Sequence, residues 1–203
     1  MKMRFILFVI GTFFVSAQLS FGQASLGETK TYTFKKVGWT MEAPVSWKIL
    51  SNDEVDKLDQ RGMDSIKSVG KDDVADKMMD TNDINLITIK KDETNYFMSS
   101  MQYFDQSLDF YKSMEISDSV VYATFIGMKL KCDSSSGTEI IDGLKFSVLY
   151  LKIDVGHGIT LHNNLYTRLI NGYCFSMVVA YINEESKATL RGILKSSKFS
   201  IRD

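Results

Sequence analysis

The two histidines are the first candidates for metal binding or acid–base chemistry. His157 lies in a Gly-His-Gly sequence, which predicts a turn, and His162 follows in a predicted strand. A zinc site needs three or four ligands within tetrahedral reach, and an odd spacing along a strand directs two side chains to opposite faces. We therefore expect one surface histidine and one sheet histidine, with no metal and no other cofactor.

Cys132 and Cys174 are the only cysteines, and neither has a histidine near it in the sequence. We therefore predict no catalytic role for them. Two interpretations stay open. In an exported protein the pair can form a disulfide, or both can be small buried residues, because spacing alone does not show whether their Cβ atoms meet.

Two further patterns resemble functional motifs but lack the required surroundings. Ser68 and Lys71 match the S-x-x-K pair of penicillin-binding enzymes, in which the serine opens a helix; here Ser68 is predicted at a helix end, before Gly70. The acidic residues 72–83 lack the spacing of a calcium-binding loop. The lipase, zinc-protease, P-loop and dinucleotide patterns are absent. The sequence therefore predicts no recognisable catalytic site.

The best candidate site is one face of a predicted antiparallel sheet in the second half of the chain. Asn171-Gly172 is typical of a two-residue hairpin turn, so Ile170 pairs with Tyr173. Because side chains alternate between the faces, this register collects polar and aromatic residues on one side. If residues 156–158 form a three-residue turn, Phe146, Val148, Tyr150 and Lys152 join them. The candidate ligand- or partner-binding residues are His162, Asn164, Tyr166, Arg168, Phe175 and Tyr181.

Two interpretations of this face stay open. It can be a shallow aromatic and polar surface that holds a ligand or a partner peptide. Alternatively, it can be packing beneath a helix, with Arg168 over an aromatic ring. The opposite face carries mainly apolar residues and predicts ordinary core.

The first 22 residues predict a signal peptide. Lys2 and Arg4 precede an apolar run at residues 5–15, and small residues allow cleavage after Gly22, which we prefer, or after Ala17. The rival interpretation is a membrane anchor, but the run is short against the roughly 20 residues of a spanning helix. We expect residues 23–203 to form one exported domain, periplasmic or extracellular, without a stable membrane anchor.

The composition gives few clues to a partner. The 203-residue chain has a formal net charge of −1 at pH 7, which gives no reason to expect nucleic acid or an anionic membrane as a partner. A chain of this size can bury a full core as one domain.

The predicted elements alternate between strands and helices. Trp39, Met41 and Ala43 alternate inward along a strand that Pro44 ends, and residues 120–126 allow either helix or strand. Predicted strands cover residues 31–36, 39–43, 84–91, 96–104, 138–141, 144–155, 159–170 and 173–182. Predicted helices begin after Ser51 or Asn52, cover 71–83 and 107–131, and begin after Asn183. This order predicts an α+β fold in which helices pack on an antiparallel sheet, as an α/β/α sandwich.

The order and its turns resemble the PsbP-like and DcrB-like superfamily. The matching features are Pro44 with Trp47, the sequence DGLKF at 142–146, NGY at 171–173 and ILKSSKF at 193–199. The resemblance implies a non-catalytic accessory or binding protein and carries over no catalytic residues. We expect an exported protein of the bacterial cell envelope that binds a partner protein or small ligand on one sheet face. The alternative is an envelope hydrolase whose acid and base lie far apart in the sequence.

Overall fold

A seven-stranded antiparallel sheet lies at the centre of the structure, a computed structural model that describes residues 27–68 and 83–200. Strands are numbered in chain order. In spatial order this sheet contains β3 (Lys48–Ile49), β4 (Ile84–Lys90), β5 (Tyr96–Tyr103), β9 (Tyr173–Tyr181), β8 (Thr160–Ile170), β7 (Leu144–Asp154) and β6 (Cys132–Ile141).

Within the part of the chain that the structure describes, a second sheet and three helices cover the central sheet. The second sheet has the order β1 (Thr29–Phe34), β2 (Trp39–Pro44) and β10 (Lys198–Phe199), so it joins the two ends of the described chain. The helices are α1 (Asn52–Ser68), α2 (Phe110–Gly127) and α3 (Glu184–Ser196). Within the described residues, no helix is long and apolar enough to cross a membrane.

The central sheet has buried side chains on both faces. On one face, Val55 of α1 and Phe125 of α2 belong to the same apolar cluster as Val178. On the other face, Trp39 of β2 and Leu190 of α3 belong to a cluster with Phe175. The α+β class with an antiparallel sheet is confirmed. The outer layer on the second face is a small sheet together with one helix, where the sequence predicted helices.

Two-residue turns fix the register of the long hairpins. Asn171 and Gly172 have φ angles of +50° and +78°, and Asp142 and Gly143 have +47° and +78°. Both central positions of such a turn need positive φ, which asparagine, aspartate and glycine tolerate. The predicted pairings of Arg168 with Phe175 and of His162 with Tyr181 are confirmed.

Polar side chains begin α1 and α3 at the predicted sites, whereas the helix predicted over 107–131 begins at Phe110 after the cap Asp109 and ends at Gly127. Ser51 and Glu54 form a reciprocal capping box: the Ser51 backbone N–H donates to Glu54 Oε2 at 3.0 Å, and the Glu54 N–H donates to Ser51 Oγ at 3.3 Å. Asn183 Oδ1 accepts from the Ser186 N–H at 2.8 Å. Residues 120–126 are helical, because Val121 and Phe125 are buried among side chains of the sheet. The alternative of a strand there is wrong.

Strand β6 is longer than predicted. The sequence predicts a strand at residues 138–141, whereas β6 begins at Cys132. Ser134, Ser135, Ser136 and Gly137 have little preference for strands, so pairing with β7 outweighs local propensity. The signal peptide at 1–22, the stop at Gly70 and most of the acidic helix at 71–83 lie outside the described residues.

Trp39 links the small sheet to the central sheet. Its side chain is fully buried, its ring lies 4.9 Å from Phe34 and 5.1 Å from Phe175, and its Nε1–H donates to Ser197 Oγ at 3.1 Å. The neighbouring Gly38 has a φ of +59°, and a Cβ there would lie 2.5 Å from the Ser200 carbonyl oxygen. The absence of a side chain at Gly38 therefore lets the C-terminal strand approach.

We predict that Trp39→Ala lowers the free energy of unfolding by about 3–5 kcal/mol, because it removes a large buried aromatic side chain. Urea denaturation followed by far-UV circular dichroism measures the change. Val45→Ala is the control, because Val45 is 49% exposed and its truncation should change stability by less than about 0.5 kcal/mol. Equal losses for the two variants would contradict the central role of Trp39.

Candidate functional site

The structure places the six predicted site residues on one sheet face, at different depths. Tyr166 and Phe175 are fully buried beneath α3 and the small sheet, whereas Asn164 and Tyr181 are 6% and 8% exposed. His162 and Arg168 are partly exposed. Only the ends of the face are open to a ligand, and its centre is core.

Arg168 lies apart from the other exposed candidates. Its Nη1 donates to the Lys145 carbonyl oxygen at 2.7 Å, and its Nε is buried without a hydrogen-bond partner. Six residues separate it from His162 along β8, a distance of about 20 Å at roughly 3.3 Å per residue. The two side chains therefore cannot contact one small ligand together.

His162 and Tyr181 form a stacked pair at the end of the face that includes the start of β8. Their ring centroids are 4.9 Å apart with an interplanar angle of 5°, and Lys187 Nζ lies 5.9 Å from the Tyr181 ring centroid. Lys152 is paired with His162 across β7 and β8. Burial lowers the pKa of His162, and the nearby charges of Lys152 and Lys187 lower it further. The imidazole is therefore neutral at pH 7 and can both donate and accept a hydrogen bond.

The partly buried carboxylate of Glu139 links four elements of the structure through hydrogen bonds. Glu139 of β6 accepts hydrogen bonds from Tyr150 at 2.9 Å, from Tyr166 at 3.2 Å and from both terminal nitrogens of Arg191 of α3. Burial alone would raise the pKa of Glu139, but the hydrogen bonds from Arg191 and Tyr150 hold it below its ordinary value. Burial, together with the hydrogen bond to Glu139, raises the pKa of Tyr150 to about 12. The network fixes α3 against β6, β7 and β8.

Sequence reasoning missed Glu139 and Arg191. The turn at Asp142-Gly143 pairs Glu139 with Phe146, so the same turn argument could have placed Glu139 on this face. No sequence pattern predicts the role of Arg191, because its contact with Glu139 depends on how α3 packs against the sheet. Gly137 also leaves room for the Tyr150 ring, because a Cβ at this position would lie 3.1 Å from that ring.

The accessible residues at the His162 end of the face, together with the buried Tyr181, form a strip that borders α3, which we call the polar margin. Lys187 and Arg191 are four residues apart and so lie on the same side of α3. Tyr150 and Lys152 lie on β7, opposite Asn164 and His162 of β8. The polar margin consists of Tyr150, Lys152, His162, Tyr181, Lys187 and Arg191.

The two cysteines lie away from the polar margin, in the core. Cys132 and Cys174 are buried and free, and burial raises their thiol pKa values to about 11 and about 12. Both thiols are therefore protonated at neutral pH and are poor nucleophiles. No group of three or more His, Cys, Asp or Glu side chains in residues 27–68 and 83–200 could hold a metal ion.

One cavity of about 320 Å³ lies between α1 and β4, away from the polar margin. Its charged lining is acidic, with Asp56, Asp59 and Asp83, and no histidine or cysteine lines it. A group of carboxylates does not by itself define a catalytic site.

We predict that Tyr166→Phe lowers the free energy of unfolding by about 1 kcal/mol, because it removes the hydroxyl donor to Glu139 while the ring still fills its site. Chemical denaturation at neutral pH measures this change. Tyr103→Phe is the matched control, because the Tyr103 side chain is 69% exposed. A loss no larger than that of the control would show that the hydrogen bond contributes nothing.

The lowered pKa of Glu139 predicts an acid-dependent loss of stability. A carboxyl whose folded pKa is depressed contributes stability above its unfolded pKa and loses it as the pH falls through the folded value. The stability difference between the native protein and Glu139→Gln should therefore be largest at neutral pH and shrink below the ordinary glutamate pKa of about 4.3. Denaturation curves across this range test the prediction, and a difference that does not change with pH would contradict it.

Comparisons with known proteins bear on the fold alone. No protein-family model matches the chain, and no curated protein matches its sequence. The solution structure of cyanobacterial PsbP (CyanoP) from Synechocystis sp. PCC 6803 is similar, with a TM-score of 0.57 over 89% of this chain and 97% of that chain. The two sequences are 8% identical, so the likeness concerns the backbone. The chain has the PsbP-like fold.

Proposed function

We propose that this protein is an exported, non-catalytic accessory protein of the bacterial cell envelope that binds a partner protein or small ligand at the polar margin. The observation that carries the proposal is the concentration of cationic and aromatic side chains where α3 borders the otherwise covered sheet face. The fully buried Tyr166 supports the margin, because it donates to Glu139, which also holds Arg191.

The charges of the polar margin favour an anionic group on the partner. Lys187 is paired with Glu184 at 3.0 Å, and Arg191 is paired with Glu139. Lys152 is exposed and has no ion-pair partner among the described residues. A carboxylate that approaches Lys152 would also reach the neutral imidazole of His162, which can donate a hydrogen bond. Such complementarity chiefly sets specificity and the rate of association.

The partly exposed imidazole of His162 offers the apolar part of the contact, and the buried Tyr181 ring holds it in place. The imidazole of His162 covers one face of Tyr181, and the ammonium of Lys187 lies near the same ring. Aromatic rings and arginine are the side chains most often found at the energetic centre of a binding surface. The polar margin therefore provides apolar contact area, hydrogen-bond donors and positive charge within one strip.

Export is inferred from the predicted signal peptide at 1–22. The hydrolase alternative lacks a supporting observation: the cysteine thiols are protonated, and His157 and His162 lie away from the acidic cavity. The PsbP-like fold is compatible with a binding role but does not determine one.

We predict that the double substitution of Lys152→Gln and His162→Asn abolishes retrieval of a native partner. The tagged full chain is expressed in the source cells, and proteins that co-purify from the envelope are quantified by mass spectrometry. The changes remove a cation and an imidazole from exposed or partly exposed positions, so the melting temperature should fall by no more than a few degrees.

The matched control is Lys112→Gln with His157→Asn, which makes the same chemical changes on α2 and in the 156–158 turn. It should retrieve the partner as the native protein does. The proposal fails if the margin variant retrieves the same proteins as the native chain. If the double variant is unstable, Lys152→Gln alone decides the question, because Lys152 is exposed.

A further inference from the structure

Among residues 27–68 and 83–200, no strand pairs with the outer edge of β6. β6 is the last strand of the seven-stranded sheet and pairs with β7 from Cys132 to Ile141. No residue within the described ranges pairs with its other edge. In an antiparallel ladder every second residue points its N–H and C=O away from the neighbouring strand. The β6 edge therefore presents a row of unpaired backbone donors and acceptors.

The two edges of the sheet are protected very differently. At the far edge, β3 has only two residues, one of them Lys48. Short strands and lysine are the usual means of blocking an edge, and proline is another. β6 has ten residues with neither lysine nor proline, and residues 133–138 are exposed. Ile140 is 75% exposed. This edge has the features of a strand-pairing surface.

We propose that β6 pairs antiparallel with β6 of a second copy of this chain, which joins the two central sheets across a two-fold axis. This surface is an edge of the sheet rather than a face, and it adjoins the polar margin, because Asp133 and Ser135 of β6 pair with Lys152 and Tyr150. A two-fold axis through an antiparallel pair requires one residue to lie opposite itself, so the possible registers are few.

Charge and burial select the register centred on Ser135. In this register Lys131 of each copy lies opposite Glu139 of the other. The exposed Ile140 comes close to the partly buried Leu130 just beyond the ladder, where the Leu130 N–H already donates to the Phe125 carbonyl oxygen at 3.2 Å. The Lys131 carbonyl oxygen accepts from the Asp154 N–H at 2.9 Å, so Lys131 continues the ladder beyond β6. Opposite charges and apolar pairs across strands are favourable. The pairing would give hydrogen-bond partners to the unpaired backbone N–H and C=O groups of β6, and it would also cover Ile140.

The neighbouring registers are less favourable. Centring on Ser134 places Glu139 opposite Lys129, whose φ of +59° is not that of a strand. Centring on Ser136 places Asp133 opposite Glu139, and like charges directly opposite each other are destabilising. Centring on Gly137 places Ile140 opposite Ser134 and leaves Lys131 without an acidic partner. The small side chains of Ser134, Ser135 and Ser136 allow the second strand to approach in the selected register.

Disulfide trapping tests the proposal on the purified full chain. Ser135→Cys places two thiols opposite each other at the axis, where directly opposed Cβ atoms lie about 4.5–5.5 Å apart, close enough to bond after a small adjustment. Ser134→Cys is the matched control, because its thiol lies on the other face and opposite residue 136 of the second copy. The native Cys132 and Cys174 are buried, so they do not compete.

Under mild oxidation we expect Ser135→Cys to form covalent dimer at least several times faster than Ser134→Cys. Adding Lys131→Glu to Ser135→Cys should slow the trapping several-fold, because it places glutamate opposite Glu139, whereas adding Lys112→Glu on α2 should not. Circular dichroism confirms that each variant is folded. The proposal is overturned if Ser135→Cys stays monomeric, if both cysteine variants cross-link equally, or if sedimentation shows that the native protein is monomeric at high concentration.

Discussion

Burial of both faces of the central sheet is the constraint on which the rest of the structure depends. The helices α1 and α2 cover one face, whereas the other needs α3 and a small sheet built from both ends of the described chain. Trp39 lies at the centre of the layer formed by α3 and the small sheet, and it belongs to an aromatic cluster with Phe175, Phe146 and Phe199. A large aromatic side chain contributes much of the energy of such a layer.

This outer layer also determines which residues of the sheet face are accessible to a binding partner. Because β2, β10 and α3 lie over the face, Tyr166 and Phe175 are core, and the polar residues of the face are accessible only at its two ends, one of which borders α3. Glu139 sits at this boundary and accepts hydrogen bonds from two strands and one helix. Because a half-buried charge is costly unless it is paired, this network keeps α3 in place and so fixes the shape of the polar margin.

The sequence predicts the parts of the fold that local chemistry specifies. The two-residue turns leave one register, so the pairing of His162 with Tyr181 follows from Asn171-Gly172. Ser51, Glu54 and Asn183 mark the starts of helices through their capping chemistry. The period-two pattern of Trp39, Met41 and Ala43 correctly places their side chains in the core.

Contacts between segments that are distant in the sequence could not be predicted from turn, capping or periodicity patterns. The pairing of β10 with β2, which covers Phe175, joins the two ends of the described chain, and the contact of Arg191 with Glu139 depends on how α3 packs. The early part of β6 contradicts its local propensity and forms because β7 supplies a partner. The six candidate residues therefore share the predicted face, but their exposure depends on elements whose packing the sequence does not reveal.

The central claim is that binding takes place at the polar margin. The most direct measurement is photo-crosslinking in the source cells, with a benzoyl-phenylalanine probe placed at Lys152 and, separately, at the exposed Ile116 of α2. The account predicts a specific protein adduct from the probe at position 152 and none of that mass from position 116. An adduct that forms from position 116 alone would contradict it and would place the binding surface on the helical side of the sheet.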